Sequence, residues 1–180
     1  MIDWFLQADA FTHTIAALLL LGRLGDIVST LLITPTLRLE ANVIARKLGR
    51  RFAWFSLILA LLPYYSPALG IAALPASLLI SASNLSRGWT FRALGEAEAD
   101  AFMLRVAALS RLRTALTFLL SGASFVLVAG VVLMWLSGSR GAPSYWFGIG
   151  IVIYGLAVAV HGSMFIVRLF RRARVGTIAI

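Results

Sequence analysis

The chain has 180 residues, 61% of them hydrophobic and 13% charged, with a mean hydropathy of +0.93. A water-soluble domain carries about a quarter charged residues, so this composition excludes an ordinary soluble fold and points to a membrane protein. The net charge of +9 does not indicate nucleic acid, because the basic residues flank apolar runs, as the positive-inside rule requires.

The N-terminal stretch MIDWFLQADAFTHT has no basic region and carries Asp3 and Asp9, unlike a cleavable signal peptide. A first apolar span is expected at about 15–37, followed by the basic segment RLEANVIARKLGRR. The run 52–83 is too long for one span and contains Pro63, Pro67 and Pro75. PYYSP therefore reads as a turn between spans at about 44–63 and 68–85. A polar connection follows, in which Glu96, Glu98 and Asp100 read as a solvated helix start complementing the dipole. That helix is expected to run on into a fourth span at about 114–136. SGSRGAPS forms the next turn, and a fifth span is expected at about 145–167.

The expectation is an all-α, polytopic transmembrane helical bundle of about five spans, a single membrane-embedded domain over 1–180. The segments 38–51, 87–113 and 168–174 hold 5, 5 and 4 of the 16 basic residues. Alternation puts all three on one side, which should be the cytoplasm. That places the N-terminus outside, the C-terminus inside and the protein in a cell inner membrane as a multi-pass component. Trp54 and Trp89 fall at the inner interface, and Trp4, Trp135 and Trp146 at the outer one, where indoles prefer to sit. Small residues in spans four and five, among them Gly122 and Gly155, allow close helix packing, with an oligomer seam as the alternative.

The polar stretch GRLGDIVST interrupts the first span. Arg23, Asp26, Thr30 and Thr34 recur at helical spacing and share one face. A charge at bilayer depth costs at least about 2.5 kcal/mol, so this face must point into the bundle or a wet cavity. Arg23 and Asp26 can neutralise each other at i,i+3. Asp26, Glu40, Asn42, Asn84, Arg87 and His161 all fall in the cytoplasmic half. Arg23, Asp26, Ser29, Thr30, Thr34, Glu40, Asn42, Asn84 and His161 form the candidate binding or relay site, and Arg46 and Arg87 the candidate anion or headgroup contacts. Each has a blander reading: His161 as a helix–helix hydrogen bonder, Glu40 as a surface ion-pair partner, Asn42 and Asn84 as caps, Tyr64 and Tyr65 as interfacial anchors.

The residues Asp26, Ser29, Thr30, Glu40 and Asn42, as D-x-x-S-T followed by E-x-N, resemble a pattern in small uncharacterised prokaryotic integral membrane proteins. Val43 stands where those proteins often have proline. The resemblance covers under a fifth of the chain, and it implies that these positions form a unit without supplying an activity.

No H-E-x-x-H, G-x-S-x-G or phosphate-binding glycine loop occurs. With no cysteine there is neither a disulfide framework nor a thiolate metal site. His13 and His161 are expected at opposite faces, so no metal site and no cofactor is assigned, although Asp26, Glu40 and an amide are a chemically possible hard-cation set. Three function classes stand. The first is a transporter- or channel-like component, or a subunit of a membrane complex, binding an ion or polar solute in a cytoplasm-facing pocket. The second is a membrane-embedded enzyme on lipid-linked or phosphorylated substrates, with Asp26 or His161 as general base, Glu40 as base or metal ligand, and Arg46 and Arg87 binding the anion. The third is a structural subunit. Expected partners are the bilayer, anionic headgroups at the cytoplasmic face, and further copies or a larger complex, with no nucleic acid.

Overall fold

The computed structural model describes residues 8–36 and 47–177, and among them every regular element is helical. Asp9 opens the first helix by accepting a hydrogen bond from the Thr12 N–H at 2.8 Å. Such a cap satisfies one of the unpaired amides of a helix start. Hydrogen bonds from Thr12 in turn hold the Asp9 carboxyl below its ordinary pKa. This helix, α1, spans Ala10–Ile33. It begins and ends earlier than the expected 15–37 because Asp9 caps its start and Thr34 precedes Pro35, a position that disfavours helical dihedrals.

After α2 (Arg50–Phe55), a 3₁₀ stretch (Ser56–Leu61) leads into α3 (Leu62–Tyr65). The dihedrals at Phe55, Leu61 and Leu62 are all helical, so the three pieces form one continuous rod. Ser66 breaks it, and α4 (Pro67–Leu94) follows with Pro67 in its first turn. Pro75 lies inside α4 without ending it. Gly95, at φ +75°, turns the chain into α5 (Glu96–Leu109). Ser110 and Arg111 are extended, so α5 stops before α6 (Leu112–Leu136) and does not run on into it as the sequence suggested. The long α7 (Pro143–Thr177) completes the fold.

Among the described residues four helices are long and apolar enough to cross a membrane: Ala10–Ile33, Pro67–Ser86, Leu112–Leu136 and Pro143–Arg174. The expected second span, about 44–63, is not among them. Its apolar helical part is the shorter Ser56–Tyr65, and residues 44–46 lie outside the described residues.

The helix directions follow from the contacts. A Cβ at Gly70 would meet Ile15, one at Gly22 would meet Ser77, and one at Gly88 would meet Ile33. Residue numbers rise together, so α1 and α4 are parallel. The intervening chain therefore returns from the Ile33 end to the Ile15 end, where Tyr64 Oη lies 3.0 Å from His13 Nδ1. Helices α6 and α7 form an antiparallel hairpin, with Gly130 against Gly148 and Leu119 against Gly162. Gly150 of α7 abuts the Ala72 carbonyl and Pro75 of α4, and Arg172 near the end of α7 pairs with Asp100 just beyond α4. Helix α7 thus runs parallel to α4, and α4 lies in the middle with α1 on one side and α7 on the other.

Gly150 sits where two backbones touch, whereas a Cβ at Gly122 would meet nothing within 4 Å. Gly150→Ala should destabilise the protein by about 1–3 kcal/mol through overpacking. Gly122→Ala should stabilise it by about 0.5–1 kcal/mol through helix propensity. Thermal unfolding in detergent reads both signs, and stabilisation by Gly150→Ala would refute the α4–α7 contact.

Candidate functional site

The candidate site lies along the α1–α4 seam. At Gly22 the missing side chain lets Ser77 approach, its Cβ only 3.2 Å from where a glycine Cβ would stand. Ser81 Oγ donates within bonding distance of both the Gly22 carbonyl, 3.3 Å, and the Ser77 carbonyl, 2.9 Å. One turn further along α1, Arg23 Nη1 and Asp26 Oδ2 form an ion pair at 2.9 Å, and both side chains are largely enclosed. The i,i+3 spacing that made this pair legible in the sequence brings the two groups together without help from another helix.

The pair continues into a hydroxyl and amide network. Asn84 Nδ2 donates to Thr30 Oγ1 at 2.8 Å and lies 3.2 Å from Ser29 Oγ. Thr30 Oγ1 lies 3.5 Å from Asp26 Oδ1, and Ser29 Oγ donates to the Asp26 carbonyl at 3.0 Å. Asn84 is therefore an interhelical donor and not a helix cap. At the helix end the buried Thr34 donates to Glu96 Oε1, while the Thr36 N–H donates to Glu96 Oε2 at 3.1 Å. Arg23, Asp26, Ser29, Thr30, Asn84, Thr34 and Glu96 thus follow the seam from the middle of α1 to its end. Asp26 lies seven residues, about 10 Å, from that end.

Glu96 is the residue that sequence reasoning missed. It was assigned to a solvated helix start with Glu98 and Asp100, yet each carboxylate has a specific partner: Glu96 ties α5 to the end of α1, Glu98 pairs with Arg105, and Asp100 takes both terminal nitrogens of Arg172 at 2.7 and 3.0 Å. The alternating acids following Gly95 did mark a helix start. Which helix end they would reach depends on the parallel α1–α4 packing, which has no local sequence signal.

His161 does not join this network. Gly150 faces α4, and eleven residues make almost exactly three turns, so His161 faces α4 as well. It does so on the side of Ala72 and Pro75, opposite Ser77, Ser81 and Asn84. Its Nδ1 is buried without a hydrogen-bond partner. Glu40, Asn42 and Arg46, and the side chain of Arg87, lie outside the described residues. Among the described residues no three of His, Asp and Glu gather closely enough to hold a metal ion.

Two polar atoms of the seam frame the chemistry. Asp26 is neutralised by Arg23, so it is not a free base. Arg23 Nε, by contrast, is buried with no hydrogen-bond partner. A buried guanidinium N–H without an acceptor costs free energy and presents a donor to an anion or a polar oxygen. The chain matches no protein-family model, and none of the curated proteins or solved structures compared with it is similar.

Asn84 is the one amide bridging the two helices here. Asn84→Ala should cost about 0.6–1.7 kcal/mol, the range measured for interhelical side-chain bonds in membranes. Ser86→Ala, which removes only a bond to its own helix backbone, should change little. Equal thermal stability of the two variants in detergent would refute the network.

Proposed function

We propose that the chain is a transporter- or channel-like component of a cell inner membrane, crossing the bilayer five times with its N-terminus outside and its C-terminus in the cytoplasm. The Arg23–Asp26 pair is its working group and binds an ion or polar solute. Five crossings are supported by the parallel packing of α1 and α4: if both span, the chain between them crosses as well. The rod Arg50–Tyr65 has nearly the required length, roughly 27 Å at the α and 3₁₀ rises, against a hydrocarbon core of ~30 Å. The orientation is supported by the basic residues, since the ends of α4 and α7, the start of α6 and the start of α2 lie at one end, leaving Arg140 at the other.

The observation that carries the functional reading is the enclosed ion pair with an unpartnered Arg23 N–H, at the head of a line of hydroxyls and an amide leading to the basic end. Ionisable pairs at membrane depth mark ion and proton paths, and Arg23 offers a donor for an anion or a polar oxygen. Ser29, Thr30, Asn84 and Thr34 hold the helices around it. A second reading, a structural clamp, is favoured by the fact that these four are bonded within the seam. For the enzyme reading the described residues offer less support, since Asp26 is paired with Arg23 and His161 faces the other side of α4.

Asp26→Asn alone leaves Arg23 unpaired and should destabilise the protein by about 3–5 kcal/mol under either reading. The double variant Arg23→Leu with Asp26→Asn removes both charges and should recover most of that stability. Proteoliposomes carrying ion-sensitive dyes, with proton, sodium, potassium or chloride gradients imposed in turn, then separate the readings. We expect flux of at least one ion with wild type and none with the stable double variant. Identical behaviour of the two would make the pair a clamp.

A further inference from the structure

We infer that the cavity at the junction of α5, α6 and α7 is a binding site for the phosphate headgroup of an anionic phospholipid. The cavity measures about 500 Å³ and is lined by Arg111, Arg113 and Arg174 around an apolar floor that includes Ala107, Leu112 and Phe170. Among the described residues, the carboxylates at this end are already engaged: Glu96 by Thr34 and Thr36, Glu98 by Arg105 and Asp100 by Arg172. None of the three arginines is paired with a carboxylate among the described residues, so three positively charged side chains border one concavity that no described acid neutralises. Guanidinium groups match phosphate oxygens in geometry as well as charge.

The surroundings select a lipid over a soluble phosphate. The cavity lies where α6 begins and α7 ends, at the rim of two apolar helices. Helix α5 reaches the last turns of α7 both through Asp100, which bonds Arg172, and through Ala107, which shares the cavity with Phe170 and Arg174. Seven residues of α5 therefore cover only a turn or so of α7, so α5 crosses the end of α7 and lies along the membrane surface. Phe102, Val106 and Leu109, spaced by four and three, form an exposed apolar line on α5, with Leu109 90% exposed. A surface helix of this kind seats its apolar edge among acyl chains, beside a cavity suited to the headgroup. The inference depends on membrane placement and not on the role of Arg23 and Asp26.

The test measures binding of fluorescent phosphatidylglycerol and phosphatidylcholine to the full chain in neutral detergent micelles. Inorganic phosphate and glycerol phosphate serve as soluble competitors. Phosphatidylglycerol should bind more tightly than phosphatidylcholine, and unlabelled phosphatidylglycerol should displace it where the soluble phosphates do not. Each arginine near an anionic headgroup contributes about fivefold, so R111Q/R113Q/R174Q should weaken binding on the order of 100-fold. R51Q/R92Q/R171Q removes the same charge from residues that do not line the cavity, and should leave affinity within about twofold. If the cavity triple does not fold, R174Q alone should still lower affinity about fivefold. Equal weakening by both triples would reduce the effect to bulk charge and overturn the site. Displacement by inorganic phosphate would overturn the lipid assignment, and equal binding of the two lipids would overturn both.

Discussion

Helices α1 and α4 pack side by side in the same direction, and two parallel helices cannot be joined by a tight turn. The chain between them must travel back along their whole length. The rod Arg50–Tyr65 does this, and its 3₁₀ segment rises about 2.0 Å per residue instead of about 1.5 Å, gaining reach from few residues. The bond between His13 and Tyr64 then fastens the returning chain beside the start of α1. Helix α7 repeats the direction of α4, and α6 runs against both. The same alternation gathers the arginines of four chain segments at one end of the bundle.

The parallel pair also determines which polar groups meet. In an apolar medium each hydroxyl or amide left without a partner costs free energy, so the polar stripe of α1 requires a complementary stripe on α4. Ser77, Ser81 and Asn84 supply it at turn spacing, and the absent side chain of Gly22 brings the helices close enough for the bonds to form. The ion pair lies within α1 itself, and both of its side chains are largely enclosed. The two charges neutralise each other locally, while one guanidinium N–H is buried without a partner.

Much of this was legible in the sequence. Apolar length gave the four long helices, and the spacing of Arg23 and Asp26 gave their pairing. PYYSP gave the turn that brings Tyr64 and Tyr65 to one end. What could be read was depth along the helix, because residue number sets depth. Azimuth could not be read, because it depends on which helices are neighbours. His161 and Asn84 share a depth zone, yet lie on opposite sides of α4. Glu96 looked like a solvated acid because its partners, Thr34 and Thr36, are 60 residues or more away. Helix boundaries were displaced for local reasons: the Asp9 cap, the Thr34–Pro35 step and the extended Ser110–Arg111 pair.

The most direct test of this account is the side of the membrane on which the two ends of the Arg50–Tyr65 rod emerge. The chain has no cysteine, so single cysteines at Arg51 and at the exposed Tyr65 can be labelled with a membrane-impermeant maleimide in sealed membrane vesicles of known orientation. The account predicts that the two positions react from opposite sides, Arg51 from the cytoplasmic side and Tyr65 from the other. Labelling of both from one side would contradict it, because the rod would then not cross and the parallel α1–α4 pair would not be a pair of membrane spans.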